Sequence, residues 1–124
     1  MVKTHKDLDV WKQSIQLVKQ IYKITQIFPK HEIYGLTNQI RRAAVSVPSN
    51  IAEGAGRNSD KEFIQFLHIS LGSLAEVETQ LIISMEIGYV NNINTPVNEI
   101  NNIQKMLNGL IKHIKNRQKN QYAK

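Results

Sequence analysis

Residues 45–58 read VSVPSNIAEGAGRN, and the fold turns on how this stretch is read. Proline has no amide hydrogen and its ring crowds the preceding turn, costing about 3 kcal/mol in a helix interior. Yet the apolar spacing Ala43, Val47, Ile51 crosses Pro48 without losing phase. A helix that breaks here, restarting with Pro48 in its first turn and Ser46 as cap, is one reading. A continuous helix kinked at Pro48 fits the spacing better. Such a kink frees the carbonyl of Ala44 for neighbouring Ser or Asn side chains, and Gly54 and Gly56 read as the stop. A phosphate loop fails on its parts: EGAGRN lacks the Lys-Ser/Thr ending, and no strand precedes it.

Outward from this stretch the periodicity is helical almost throughout. The first segment, 8–28, starts after Asp7 or Asp9 as cap and ends before Pro29. Its apolar residues form two adjacent rows. Leu8, Trp11, Ile15, Val18 and Tyr22 make one; Val10, Leu17, Ile21, Ile24 and Phe28 make the other. That stripe is wider than one neighbour needs. The second segment spans 35–55. The third, 59–88, opens on Ser59 and Glu62 as a capping box and runs through Phe63, Leu67, Leu74, Val77 and Leu81. The fourth, 96–118, has Thr95 as cap and Pro96 at its first position, and a basic tail fills 119–124. Ile100, Ile103, Leu107, Leu110 and Ile114 fall on one face of it; Lys105, Asn108, Lys112, Lys115 and Lys119 fall on the opposite one. Four helices with short connections predict a single all-α domain, an antiparallel up-down four-helix bundle.

The 124-residue chain has no cysteine, which excludes disulfides, thiolate metal sites and cysteine nucleophiles. No signal core or long apolar run is present, so a cytoplasmic, non-membrane location is expected. The net charge of +6 is unevenly spread: residues 1–58 carry +5, residues 59–100 carry −5, and residues 101–124 carry +6. Such blocks attract one another and leave basic charge over for a polyanion. His5, His31, His68 and His113 show no metal-ligand spacing, and no Gly-x-Ser-x-Gly elbow is found. The expectation is therefore no enzyme, no metal and no cofactor.

The stretches YGLTNQIRRAAVSVPSNIAEGAGR and EFIQFLHISLGSLAEVETQL resemble a bacterial family of small four-helix-bundle proteins encoded in intervening sequences of the 23S ribosomal RNA gene. DLDVWKQSIQLVKQIY is similar to the family's opening, and the resemblance covers roughly residues 7–88. Its most specific block contains Pro48, Ser49, Asn50, Ile51, Ala52, Glu53 and Gly54. The resemblance implies a homo-oligomer, a pentameric ring. It also implies kinship with the accessory protein of diversity-generating retroelements, which binds nucleic acid and a reverse transcriptase. The PSNIAEG block is closer to the stand-alone intervening-sequence type.

Nine cations are the nucleic-acid candidates: Arg41, Arg42, Arg57, Lys61, Lys105, Lys112, Lys115, Arg117 and Lys119. Lys124 extends the last group. Arg41 and Arg42 have a competing reading as partners of Glu76 or Glu78 on the acidic third helix, and a lysine stripe is also what a solvated face looks like. Glu53 reads as a buried carboxylate tied to Arg or Ser or as a subunit contact; Ser49 and Asn50 read as bonding backbone near the kink or a neighbouring subunit. Two functions remain open: sequence-independent binding of RNA or DNA through phosphates, and a protein assembly or adaptor module with no nucleic-acid role.

Overall fold

The structure, a computed structural model, describes residues 4–122. Within them the fold is all-α: four helices, α1 (Asp9–Thr25), α2 (Leu36–Ala55), α3 (Asp60–Glu86) and α4 (Asn94–Tyr122), with no strand. Their apolar stripes meet in one core. Leu17 and Ile21 come from α1; Ile40, Val47 and Ile51 from α2; Leu67, Leu74 and Leu81 from α3; Ile103, Leu107 and Ile114 from α4, all sealed from solvent. α1 and α3 each adjoin both α2 and α4. Contacts between α2 and α3 pair residues whose numbers run in opposite senses: Ser46 with Ser73, Val47 with Ser70, Gly54 with Phe63 and Phe66.

α2 runs unbroken through Pro48, which is buried. The carbonyls that receive side-chain donors there are those of Ser46 and Val47 rather than that of Ala44. Asn50 Nδ2 reaches back one turn to the Ser46 carbonyl at 2.8 Å, and Ser70 Oγ from α3 donates to the Val47 carbonyl at 2.9 Å. Ala44 lies a turn and a half before Asn50, beyond its reach. Gly54 is not the stop it resembles in sequence. It lies inside the helix, buried, and a Cβ there would sit 2.8 Å from Phe66 Cβ and 3.0 Å from Phe63 Cδ1. The helix ends one residue later, with Gly56 at its boundary.

The helix ends depart from the predicted ones for local reasons. α1 stops at Thr25, because the amides of Gln26, Ile27 and Phe28 turn to carbonyls three residues back before Pro29. Neither Asp7 nor Asp9 caps it: Leu8 precedes the helix with no side-chain cap, and the Asp7 carboxylate instead accepts from the Thr4 amide. Ser59 caps α3, accepting from the Glu62 amide at 3.2 Å, but the Glu62 side chain does not return a bond to the Ser59 amide, so the predicted capping box is half formed. α3 closes on Gly88 at φ 86°, with the Tyr89 amide on the Ser84 carbonyl and the Gly88 amide on that of Met85. α4 begins at Asn94, whose amide the Asn92 side chain accepts at 2.8 Å, so Pro96 sits within the first turn instead of opening it. The predicted tail is helical to Tyr122; Lys124 lies outside the described residues.

Glu32, in the α1–α2 connection, accepts from the Tyr89 hydroxyl at 2.7 Å and from the Leu36 amide at 3.1 Å. The Tyr89 bond, then the Leu36 bond, hold the Glu32 carboxyl below its ordinary 4.5, and the same Glu32 partner raises the Tyr89 phenol above 10. A lowered carboxyl stabilises above its unfolded value and loses this effect as pH falls through the folded one; a raised phenol stabilises below 10 and loses it as pH climbs. The tie is therefore complete between about pH 4.5 and 10.

Two outcomes are expected from thermal and denaturant unfolding. Gly54→Ala should lose about 1–3 kcal/mol by overpacking against Phe63 and Phe66, whereas Gly72→Ala, where a Cβ meets nothing within 4 Å, should gain about 1 kcal/mol from helix propensity. An unchanged Gly54→Ala midpoint contradicts the close approach. Tyr89→Phe should flatten the fall of Tm as the pH drops below 4.5 relative to the parent chain; an identical acid limb in both proteins rules the tie out.

Candidate nucleic-acid interface

The helical period that buries Ile103, Leu107, Ile111 and Ile114 of α4 turns the other face outward. Lys105, Lys112, Lys115 and Lys119 are all exposed on it. Among the described residues none of the four has a hydrogen bond or an acidic partner. The row is about 21 Å long at 1.5 Å per residue, a length matching roughly six phosphates of one strand.

The arginines behave differently. Arg41 is half-buried, with Nε on the Thr25 hydroxyl at 2.8 Å and its guanidinium 4.6 Å over the Tyr22 ring. It is fastened to α1 and does not reach Glu76 or Glu78. Arg42 is exposed and makes no polar contact among the described residues, as is Lys61 at the start of α3. Arg57 pairs loosely with Glu53 one turn back, at 3.7 Å, and lies 4.9 Å over the Phe66 ring. Arg117 of α4 donates to Asp60 of α3 at 2.8 Å. The structure thus gathers four of the nine cations into one open face on α4 and distributes the rest over other surfaces.

The block around Pro48 is mainly a packing device. Pro48, Ile51 and Gly54 face inward, while Asn50 bonds back to Ser46 and Ser46 Oγ meets Ser73 Oγ at 2.8 Å. Ser49 is exposed and without a bond of its own; Ala52 is half-buried. Glu53 is exposed rather than enclosed, and an exposed i,i+4 pair such as Glu53–Arg57 contributes about 0.3–0.5 kcal/mol.

A family model for the 23S rRNA-intervening sequence protein matches residues 6–109. The chain belongs to the 23S rRNA-intervening sequence protein family. A crystal structure of a protein of unknown function from the S23 ribosomal protein family of Bacteroides thetaiotaomicron is similar, with 26% identity and a TM-score of 0.74. The similarity covers 83% of this chain and 98% of that one. Among curated proteins none matches. Within this family member, no three of His, Asp and Glu converge as metal ligands among the described residues, and no described helix is long and apolar enough to cross a membrane.

Sequence reasoning missed two surfaces. One is the outward side of α3 and the residue just past its end, where Ile69, Ile83 and Ile87 are exposed in line. The other is a recess between the α2–α3 turn and α4, lined by Arg57, His113 and Arg117 among others. Only their coincidence in space reveals it, since Arg57 and Arg117 are sixty residues apart.

Removing the donor to a buried carbonyl should expose the role of the Pro48 block. Ser70→Ala removes the α3 donor from the Val47 carbonyl, which keeps its helical amide partner, and should cost about 0.5–1.5 kcal/mol, whereas Ser49→Ala should be near neutral. Equal midpoints for the two variants in urea contradict this assignment.

Proposed function

We propose that this chain is a non-enzymatic, cytoplasmic, homo-oligomeric bundle, with helices running up and down antiparallel, that holds RNA or DNA by its phosphates irrespective of sequence. The observation that carries the reading is the row Lys105, Lys112, Lys115 and Lys119, outward on α4 and free of acidic partners among the described residues. Lysines on a straight helix engage a phosphate ladder as point charges without selecting bases. The pairing of Ser46 with Ser73 and Val47 with Ser70 supports the antiparallel arrangement. The second apolar row of α1 supports self-association: Trp11, Ile15 and Val18 are only half-covered, and Tyr22 is 41% exposed. A pentameric ring, the form the family resemblance implies, would repeat each lysine row five times and raise avidity through effective concentration.

A second reading is favoured by the exposed isoleucines of α3, which lie beside exposed Glu76 and Glu86. An acidic, apolar face of this kind suits a protein partner, a reverse transcriptase being the class the resemblance implies, and would make the chain an adaptor.

Four neutralised phosphates per subunit should give a log–log salt slope of about −3.6 on duplex DNA, reduced by about 1.8 in a Lys112→Ala/Lys115→Ala variant. Native mass spectrometry with and without nuclease, on the same samples, reads subunit number and bound nucleic acid. A flat salt response, with a protein partner retained after nuclease, would favour the adaptor and end the phosphate reading.

A further inference from the structure

We propose that the cavity between the α2–α3 turn and the last third of α4 binds a phosphorylated nucleoside, either free or as the terminal nucleotide of a strand. Its volume is about 450 Å³, within the range of small-ligand sites. The floor is apolar: Leu8 and Ile114 are buried, and Phe63 and Leu110 are half-buried. The rim is polar, with two guanidinium groups, Arg57 and Arg117, beside His113, Asn58, Ser59 and a single carboxylate, Asp60. An apolar floor that includes an aromatic ring accepts a base, and guanidinium forks match phosphate oxygens in pairs.

Both arginines are held in place before any ligand arrives. The Phe66 ring lies under Arg57 at 4.9 Å, and Asp60 fixes Arg117 at 2.8 Å. Fixing a long side chain in advance removes part of the ordering cost of binding. His113 and the Asn58 side chain line the same rim and have no hydrogen-bond partner among the described residues, so they remain available to a phosphate oxygen and a base edge. Other recesses lack this combination. The groove by Trp11 and Val45 has His5 as its one titratable group, and the recess beside Arg41, although Lys30 and the Phe28 ring also line it, has a single guanidinium and no histidine. Asp60 and, more loosely, Glu53 oppose an incoming phosphate, since Arg117 and Arg57 must each be shared between two anions.

The strand-end form of the proposal rests on the nucleic-acid reading; the free-nucleotide form does not. Calorimetry would compare adenosine 5′-monophosphate, adenosine, inorganic phosphate, and one hexanucleotide with and without a 5′-phosphate. The monophosphate should bind at least tenfold more tightly than either adenosine or inorganic phosphate. Arg57→Ala and Arg117→Ala should each weaken it about tenfold, the loss of one charge-assisted hydrogen bond. Asp60→Asn should tighten it, while Lys112→Ala/Lys115→Ala should leave it unchanged. Both arginines are about half exposed, and matched circular dichroism melts would confirm that the variants fold. Tighter binding of the 5′-phosphorylated hexanucleotide than of its 5′-hydroxyl form identifies the strand end as a ligand. Binding of the monophosphate alone restricts the site to free nucleotides. Monophosphate binding no better than adenosine or inorganic phosphate, or unaffected by both arginine variants, overturns the proposal. If that happens while duplex DNA still shows its salt slope, the pocket falls and the lysine row stands; nucleotide binding without duplex binding separates them the other way.

Discussion

The seam between α2 and α3 fixes the geometry of everything else. Gly54 brings the two backbones close enough for its Cα to touch the Phe63–Phe66 turn, and no larger residue fits there without displacing it. Further along the same seam, Ser70 and Asn50 supply donors to carbonyls beside Pro48, and Ser46 meets Ser73. The Ser46 and Val47 carbonyls already face the helical amides of Asn50 and Ile51, and these side chains add a second donor to each. Small residues and local donors therefore lock the register of the pair. With that register set, the α2–α3 turn lies against the late part of α4, where Asp60 meets Arg117.

Much of this was legible in the sequence. The apolar period of α2 crosses Pro48 because the stripe belongs to one continuous face, and α4 separates its isoleucines from its lysines cleanly enough to orient the helix without coordinates. The ends of α1 and α4 were less legible. Phe28, Thr95 and the aspartates near residue 8 all carry permissible end signals, and competition among such signals turns on about 1 kcal/mol, less than tertiary contacts supply. Gly54 was misread for a related reason. A glycine near a helix end looks like a terminator until the residues opposite it are known.

Arg41 and α3 illustrate the other limits. A sequence shows that Arg41 carries charge, but its placement over Tyr22, nineteen positions away, emerges only from the packing of α1 on α2. α3 is apolar on much of its circumference, so its inward and outward isoleucines share no distinguishing period. Leu67, Leu74 and Leu81 are sealed inside while Ile69, Ile82 and Ile83 remain in water. Residues of the same hydropathy thus serve two purposes on one helix. Of the acidic side chains that make residues 59–100 net negative, only Asp60 is drawn into an ion pair with α4 among the described residues.

The position of α4 after α1, α2 and α3 in the chain has a consequence for synthesis on the ribosome. Until residues beyond about 94 have emerged, α1, α2 and α3 present an open trough whose walls include Leu17, Ile21 and Leu81. The emerging chain then depends on residues 94–122 to cover that trough, and a chain halted before them displays greasy surface to chaperones and neighbouring polypeptides.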